Sequence, residues 1–272
     1  MQVGSQLFNI GSRTFIVGIL NVTPDSFFDG GAYTTVENAL TRAKKLEAEG
    51  ADIIEIGGES TRPGYNPVTQ DAELARVIPV LEALKKELNV PIAVDTSKAA
   101  VALAALQKGA SVINDIWRFI KDPQLADVCA KYKAVCCVMH NRENIDYNNF
   151  LDDVLADLSE SVNILLKAGV SPCNIIIDPG IGFAKSVEQN LEIMRNLGRF
   201  SSMPYPVMIG TSRKSFLGST HNLPVDERLE ATIATTTLAI SQNCDFVRVH
   251  DVLQNKRAAM MTDEIIRGVK CG

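Results

Sequence analysis

One arrangement recurs eight times along this chain. A short, nearly all-apolar run stops at a polar residue, and a stretch with apolar residues at helical spacing follows. The first run, residues 15–20, stops at Asn21, and the helical pattern after it, residues 35–49, carries Val36, Ala39, Leu40, Ala43 and Leu46. A run that is apolar on both alternations suits a parallel strand covered on its two faces. Further strands are predicted at 52–56, 91–94, 111–113, 134–138, 174–177, 207–209 and 245–250. Further helices are predicted at 71–88, 97–108, 124–132, 150–167, 187–197, 227–241 and 255–269, with a kink at Pro79. No linker or low-complexity tract divides the chain, and the repeat is of structure, not of sequence. The pattern predicts an α/β fold, a single (β/α)8 TIM barrel spanning residues 1–272 as one domain. Such barrels typically need about 250 residues.

Charge and cysteine usage narrow the function classes. The net charge is −5 and there is no long basic block, so no nucleic-acid partner is expected. Residues 1–10 lack a basic segment followed by an apolar one, and no apolar run is long enough to cross a bilayer. The six cysteines, Cys129, Cys136, Cys137, Cys173, Cys244 and Cys271, form no C-x-x-C pair, and several sit in strand-like runs. They are expected to be reduced thiols in a cytoplasmic protein with no membrane attachment.

In a barrel of this kind the active site lies at the carboxyl ends of the strands. Those ends carry Asn21, Arg62, Asp95, Asn114, Met139 with His140, Asp178, Ser212 with Lys214, and Arg248 with His250. Asp95, Asn114 and Asp178 suit a flat heterocycle with adjacent N–H donors and carbonyl acceptors. Arg62, Lys214, Arg248 and His250 suit phosphate or carboxylate. Asn21 together with a substrate diphosphate could hold Mg2+, which keeps much of its water. A heterocycle bearing a phosphate ester fits both sets. Residues 207–218 begin as a strand, turn at Gly210, offer Thr211 and Ser212 as caps and place Arg213 and Lys214 near a helix start.

Each of these residues has a plainer reading. Asp95 and Asp178 read equally as caps of the helices after them. Arg248 could pair with a neighbouring acid, and His250 could be a hydrogen-bonded structural histidine. His140 reads as a loop residue and His221 as solvent-exposed. Lys98 reads as a surface residue at a helix start, with a Schiff-base role as the alternative. Trp117 and Phe119 are expected to pack under the fourth loop.

With their flanks, these residues resemble the dihydropteroate synthase family. The matching stretches are Gly-Ile-Leu-Asn-Val-Thr-Pro-Asp-Ser-Phe (18–27), Asp-Gly-Gly (29–31), Gly-Gly-Glu-Ser-Thr-Arg-Pro-Gly (57–64), Val-Asp-Thr (94–96) and Ile-Asn-Asp-Ile (113–116). Val-Met-His (138–140), Asp-Pro-Gly-Ile-Gly-Phe (178–183), Ser-Arg-Lys-Ser (212–215) and Arg-Val-His-Asp (248–251) complete the set. Singly they are weak signals; in this order they are specific.

The resemblance implies condensation of 4-aminobenzoate with 6-hydroxymethyl-7,8-dihydropterin diphosphate, with Mg2+ and with sulfonamides as competitors. It implies that Asp95, Asn114, Asp178 and Lys214 hold the pterin, with Met139, Phe183 and Gly210 lining its slot. Asn21, Thr61, Arg62, Arg248 and His250 take the diphosphate, Asn21 also the metal. Phe27, Pro63, Phe183 and Ser212 take the aminobenzoate. Asp29, on the first loop, faces the developing cation. Asp29, Arg62, Lys214, Arg248 and His250 are thus the implied catalytic set, and a homodimer through outer helices is implied as well. The departures are Glu55 in place of a shorter Asp, the bulky Trp117-Arg118-Phe119, and Ala184 in place of Gly. No insertion follows Phe183, so ordinary sulfonamide sensitivity is expected.

Three rivals remain at this point. A corrinoid-linked methyltransferase barrel has no need of the Ser-Arg-Lys and Arg-Val-His cations. A catalytically silent pterin-binding relative has no need of an intact set. A lysine Schiff-base aldolase would centre on Lys98.

Overall fold

The eight apolar runs become eight strands of one parallel sheet in the computed structural model, which describes residues 1–22, 32–59, 68–219 and 222–268. Ahead of them, β1 (Gln2–Val3) and β2 (Gln6–Leu7) pair as an antiparallel hairpin. The barrel then runs through β3 (Phe15–Asn21), α1 (Ala32–Ala48), β4 (Ile53–Gly57), α2 (Gln70–Glu87), β5 (Ile92–Asp95) and α3 (Ala99–Gln107). It continues with β6 (Val112–Asp115), α4 (Leu125–Tyr132), β7 (Val135–Met139), α5 (Phe150–Lys167), β8 (Ile175–Asp178), α6 (Val187–Arg195) and α7 (Leu197–Ser201). The last elements are β9 (Met208–Ile209), α8 (Ser215–Ser219), α9 (Leu229–Ser241), β10 (Phe246–Val249) and α10 (Val252–Arg267). The strand order is β8-β7-β6-β5-β4-β3-β10-β9, and a bridge between Ile177 and Val207 joins the two ends. This is the (β/α)8 barrel that the sequence predicts.

Strand periodicity decides what the barrel holds. Phe15, Val17, Ile53, Ala93, Val112, Val135, Cys137, Ile176, Met208 and Phe246 form one buried cluster. Two residues further along, on the same strand face, come Glu55, Asp95, Asn114, Met139, Asp178, Gly210 and Arg248. The interior is therefore apolar toward the start of the strands and polar at their carboxyl ends. The larger cluster, with Ile16, Leu20, Ile54, Ile56, Val94, Ile113, Val138 and Ile177, faces the helices.

Element boundaries move by small steps, for local reasons. Thr69 caps α2 by accepting the Ala72 N–H, and Pro79 sits inside the helix without ending it. Ser186 and Gln189 form a reciprocal capping box at α6. The predicted 187–197 helix stops at Arg195, and Asn196 separates it from α7.

The amino-terminal hairpin has no counterpart in the sequence reading. Val3 and Phe8 belong to the interior cluster, and the Phe8 ring lies 4.7 Å from Phe15 and 6.3 Å from Phe246. The hairpin closes the end of the barrel opposite the polar residues. Phe8→Ala should therefore lower the free energy of unfolding by about 3 kcal/mol. Urea denaturation measures that loss, and steady-state KM values should stay at wild-type levels. A large KM change would mean that this end of the barrel is not separate from the site.

Candidate functional site

The polar layer is a cluster of opposed buried charges. Arg248 reaches from β10 to Asp178 on β8, with Nη2 to Oδ2 at 3.3 Å, and to Glu55 on β4, with Nη1 to Oε1 at 3.6 Å. Gly210 makes room for it: a Cβ there would lie 2.9 Å from Arg248 Nη2. The Met139 sulfur lies 4.0 Å from the same nitrogen. Asn114 donates from Nδ2 to Asp95 Oδ1 at 3.1 Å. Among the described residues, Asn114 Oδ1 and Arg248 Nη1 are buried without a hydrogen-bond partner. Unmatched buried atoms of this kind are costly in a core and expected in a binding site.

Burial shifts the charge states. Asp95 is pushed up to about 8 by burial and then by the charge of Glu55. Glu55 is raised by burial, with Arg248 opposing and Asp178 adding. Lys214 is pulled down to about 7 by burial and by Arg248, with Asp178 and Asp95 opposing. Burial works against the charge on Arg248, but Glu55 and Asp178 outweigh it and hold the guanidinium charged. An acid and a base shifted toward neutrality in one cluster mark a candidate functional site.

The Lys214 ammonium donates to the Ile181 carbonyl and lies 4.3 Å from the Phe183 ring centroid. Asp178 Oδ1 accepts the Gly180 N–H at 2.8 Å. Ser212 Oγ lies 3.0 Å from His250 Nδ1 and accepts the His250 backbone N–H at 3.1 Å. Asn21 ends β3 in register with Gly57, and a Cβ at Gly57 would lie 3.5 Å from its Oδ1.

The structure thus gathers Asp95, Asn114, Met139, Asp178, Gly210 and Arg248 in one polar layer, with Phe183 and Lys214 beside it and Ser212 with His250 near the end of β10. Phe27, Asp29, Thr61, Arg62 and Pro63 lie outside the described residues. Arg248, expected at the diphosphate, has its guanidinium among the acids expected to face the pterin. Glu55, which the sequence marked only as a lengthened acid, is one of its two anchors.

Several plainer readings are also resolved. Arg213 is not an open anion ligand: it makes a bidentate pair with Asp251 at 2.8 and 2.7 Å. Lys98 is no surface lysine: its ammonium bridges Glu59 and Glu73 at 2.5 Å each. Burial opposes that charge, but the two carboxylates raise Lys98 overall, so it offers no neutral amine for a Schiff base. His140 lies in the loop directly after β7, as expected, and is fully buried there. Phe119 is buried under the loop after β6, as expected.

The polar mouth of this barrel holds two aspartates, an asparagine and a lysine, and the sequence pattern of the pterin-binding enzyme family matches residues 17–250. The dihydropteroate synthase of Clostridium beijerinckii is 54% identical over 268 residues, covering 98% of this chain and 100% of that protein. The crystal structure of the Clostridium difficile dihydropteroate synthase in the presence of pteroic acid superposes with a TM-score of 0.94 at 47% identity, covering 96% and 100%. The Yersinia pestis dihydropteroate synthase with a sulfonamide drug gives 0.91 at 33% identity, covering 99% of each chain. The chain belongs to the dihydropteroate synthase family.

The charge state of Asp95 has a measurable consequence. Stability linked to Asp95 is fully present below its ordinary value of 3.8 and is lost as pH rises through about 8. Asp95→Asn cannot ionise but can still accept from Asn114. Its melting temperature should exceed that of the wild type by a margin that grows from pH 5.5 to pH 8.5. Thermal denaturation across that range checks the trend, and a constant or shrinking margin contradicts it.

Proposed function

We propose that the residues of this mouth carry the family's reaction, the condensation of 4-aminobenzoate with 6-hydroxymethyl-7,8-dihydropterin diphosphate to 7,8-dihydropteroate and pyrophosphate. The observation that carries the assignment of roles is the polar layer itself. Asp95, Asn114 and Asp178 supply acceptors for ring N–H groups, Asn114 Oδ1 being buried and unmatched before a ligand arrives. Lys214 supplies a donor for the ring's acceptor edge. Met139, Phe183 and Gly210 line the slot, and the pteroic acid and sulfonamide in the relatives' structures support both substrate classes. The whole chain, residues 1–272, acts as one domain.

The bond between the pterin methylene carbon and the diphosphate oxygen breaks, and its electron pair leaves with the diphosphate. The electron-rich ring spreads the positive charge, and Asp29 is the residue that the family resemblance assigns to it. Arg62, His250 and Arg248 offset the charge on the departing group, with Asn21 and Thr61 beside them. The aminobenzoate amine attacks the methylene carbon and loses a proton, held between Phe27, Pro63, Phe183 and Ser212. Ser212 is tied to His250, so the aminobenzoate subsite and the diphosphate subsite share one hydrogen bond.

Among the described residues no group of three or more acidic, histidine or cysteine side chains could hold a metal. Asn21, at the end of β3, would offer its amide oxygen as a protein ligand to a Mg2+ that takes most of its other ligands from diphosphate and water. When bound, Mg2+ would supply charge neutralisation at the leaving group.

A cytoplasmic setting is supported by Cys129, Cys136, Cys137, Cys173 and Cys244, all of which are free thiols. No described helix is long and apolar enough to cross a membrane. A homodimer is supported by exposed Leu238 on α9 and exposed Met261 and Ile265 on the neighbouring α10.

Pyrophosphate release should require both aminobenzoate and the pterin diphosphate, and a sulfonamide should inhibit it competitively against aminobenzoate. Release that ignores aminobenzoate, or no release from folded protein, overturns this reading.

A further inference from the structure

Behind the Asp178–Phe183 turn lies a second polar cluster that the reaction as described does not use. Lys185 is half-buried, with its ammonium turned inward. It lies 2.8 Å from His140 Nδ1 and donates to the carbonyls of Gly180 at 3.0 Å and Phe183 at 2.8 Å. His140 Nε2 lies 3.0 Å from Asp157 Oδ2 on α5. Asp157 also accepts from Arg142 Nε at 2.6 Å and faces Arg118 Nη1 at 3.3 Å.

The tautomer follows from the partners. Burial opposes the charge on Asp157, but its hydrogen bonds and cations hold it ionised, and it only accepts. His140 Nε2 must therefore carry the proton, and Nδ1 accepts from Lys185. Burial keeps the imidazole neutral by pulling it down to about 4, against the pull of Asp157. Burial also holds Lys185 well below the usual lysine value, with Asp178 opposing.

A buried ammonium without a direct carboxylate partner is costly, and an apolar side chain could fill the same space. What the ammonium touches gives it a purpose. Its two carbonyl partners, Gly180 and Phe183, span the turn that joins Asp178 to the Phe183 ring. The same turn is fastened at two further points. The His140 N–H donates to the Asp178 carbonyl at 2.8 Å, and the Tyr147 hydroxyl donates to the Ala184 carbonyl at 2.8 Å. The fit is tight, since Gly180 has φ +70° and a Cβ there would lie 1.9 Å from the His140 carbonyl oxygen.

We infer that Lys185, oriented by the Asp157–His140 pair, is a positioning residue that holds the Asp178 carboxylate and the Phe183 ring at the spacing the substrate ring requires. It never touches substrate. It fixes the wall on which Lys214 also rests, 4.3 Å from the Phe183 centroid. The inference deepens the proposed reading of the site and rests on it.

The test measures the Kd for pteroic acid by calorimetry, with melting temperature and pyrophosphate release recorded alongside. Lys185→Met should raise that Kd by about ten-fold or more, as expected when binding groups shift by a fraction of an ångström. His140→Asn keeps an acceptor near the Nδ1 position and should retain most of the affinity, whereas His140→Leu should behave like Lys185→Met. Tyr147→Phe removes one hydroxyl from a half-exposed ring, leaves the fold intact and should raise Kd by about two- to three-fold, the loss of one weak hydrogen bond. Unchanged Kd in folded Lys185→Met and Tyr147→Phe, or equal losses in both His140 variants, overturns the inference. Absence of turnover in the wild type with pteroic acid still bound counts against the activity and leaves the Kd comparison decisive for Lys185.

Discussion

A guanidinium inside a barrel needs carboxylates, and the rest of this site follows from that need. Arg248 is 7% exposed and lies between Asp178 and Glu55. Removing either acid would leave a buried charge short of a partner, a change that typically destabilises strongly. The apolar layer below supports this arrangement, with Phe15, Val17, Ile53 and Phe246 filling the interior and Phe8 closing the far end. Burial raises Asp95 and Glu55, and a neighbouring acid adds to each while Arg248 opposes. Burial, and then the charge of Arg248, loosen the hold of Lys214 on its proton, with Asp178 and Asp95 opposing.

The fold was legible because its determinants are local. Eight apolar runs, nearly all with a polar residue at or near their ends, correspond to β3 through β10, with ends moved by only a residue or two. The inward polar positions were legible too, since strand period two places Asp95, Asn114, Asp178 and Arg248 on the face of Ala93, Val112, Ile176 and Phe246. The hairpin of β1 and β2 escaped notice because two-residue strands carry no period to read.

What remained hidden in the site is long-range pairing. Glu55 showed only an extra methylene, and nothing local tells that Arg248, far along the chain, is its partner. His140 is a loop residue as read, but its burial and its partner are not local, because Asp157 belongs to the following helix. Lys98 resembled a surface residue because Glu59 and Glu73 come from the preceding strand–helix unit. Arg213, the most conspicuous cation of its loop, is consumed by Asp251. In each case local sequence gives the residue type, and the barrel's closure gives the partner.

Burial keeps the acids of this mouth partly uncharged in the free protein. Carbon-13 NMR titration of the aspartate carboxyls in the free protein tests this most directly. The account predicts one carboxyl titrating near 8, absent from the Asp95→Asn spectrum and moved to lower pH when pteroic acid is bound. Aspartates that all titrate near the ordinary value of about 4, with and without ligand, would contradict it.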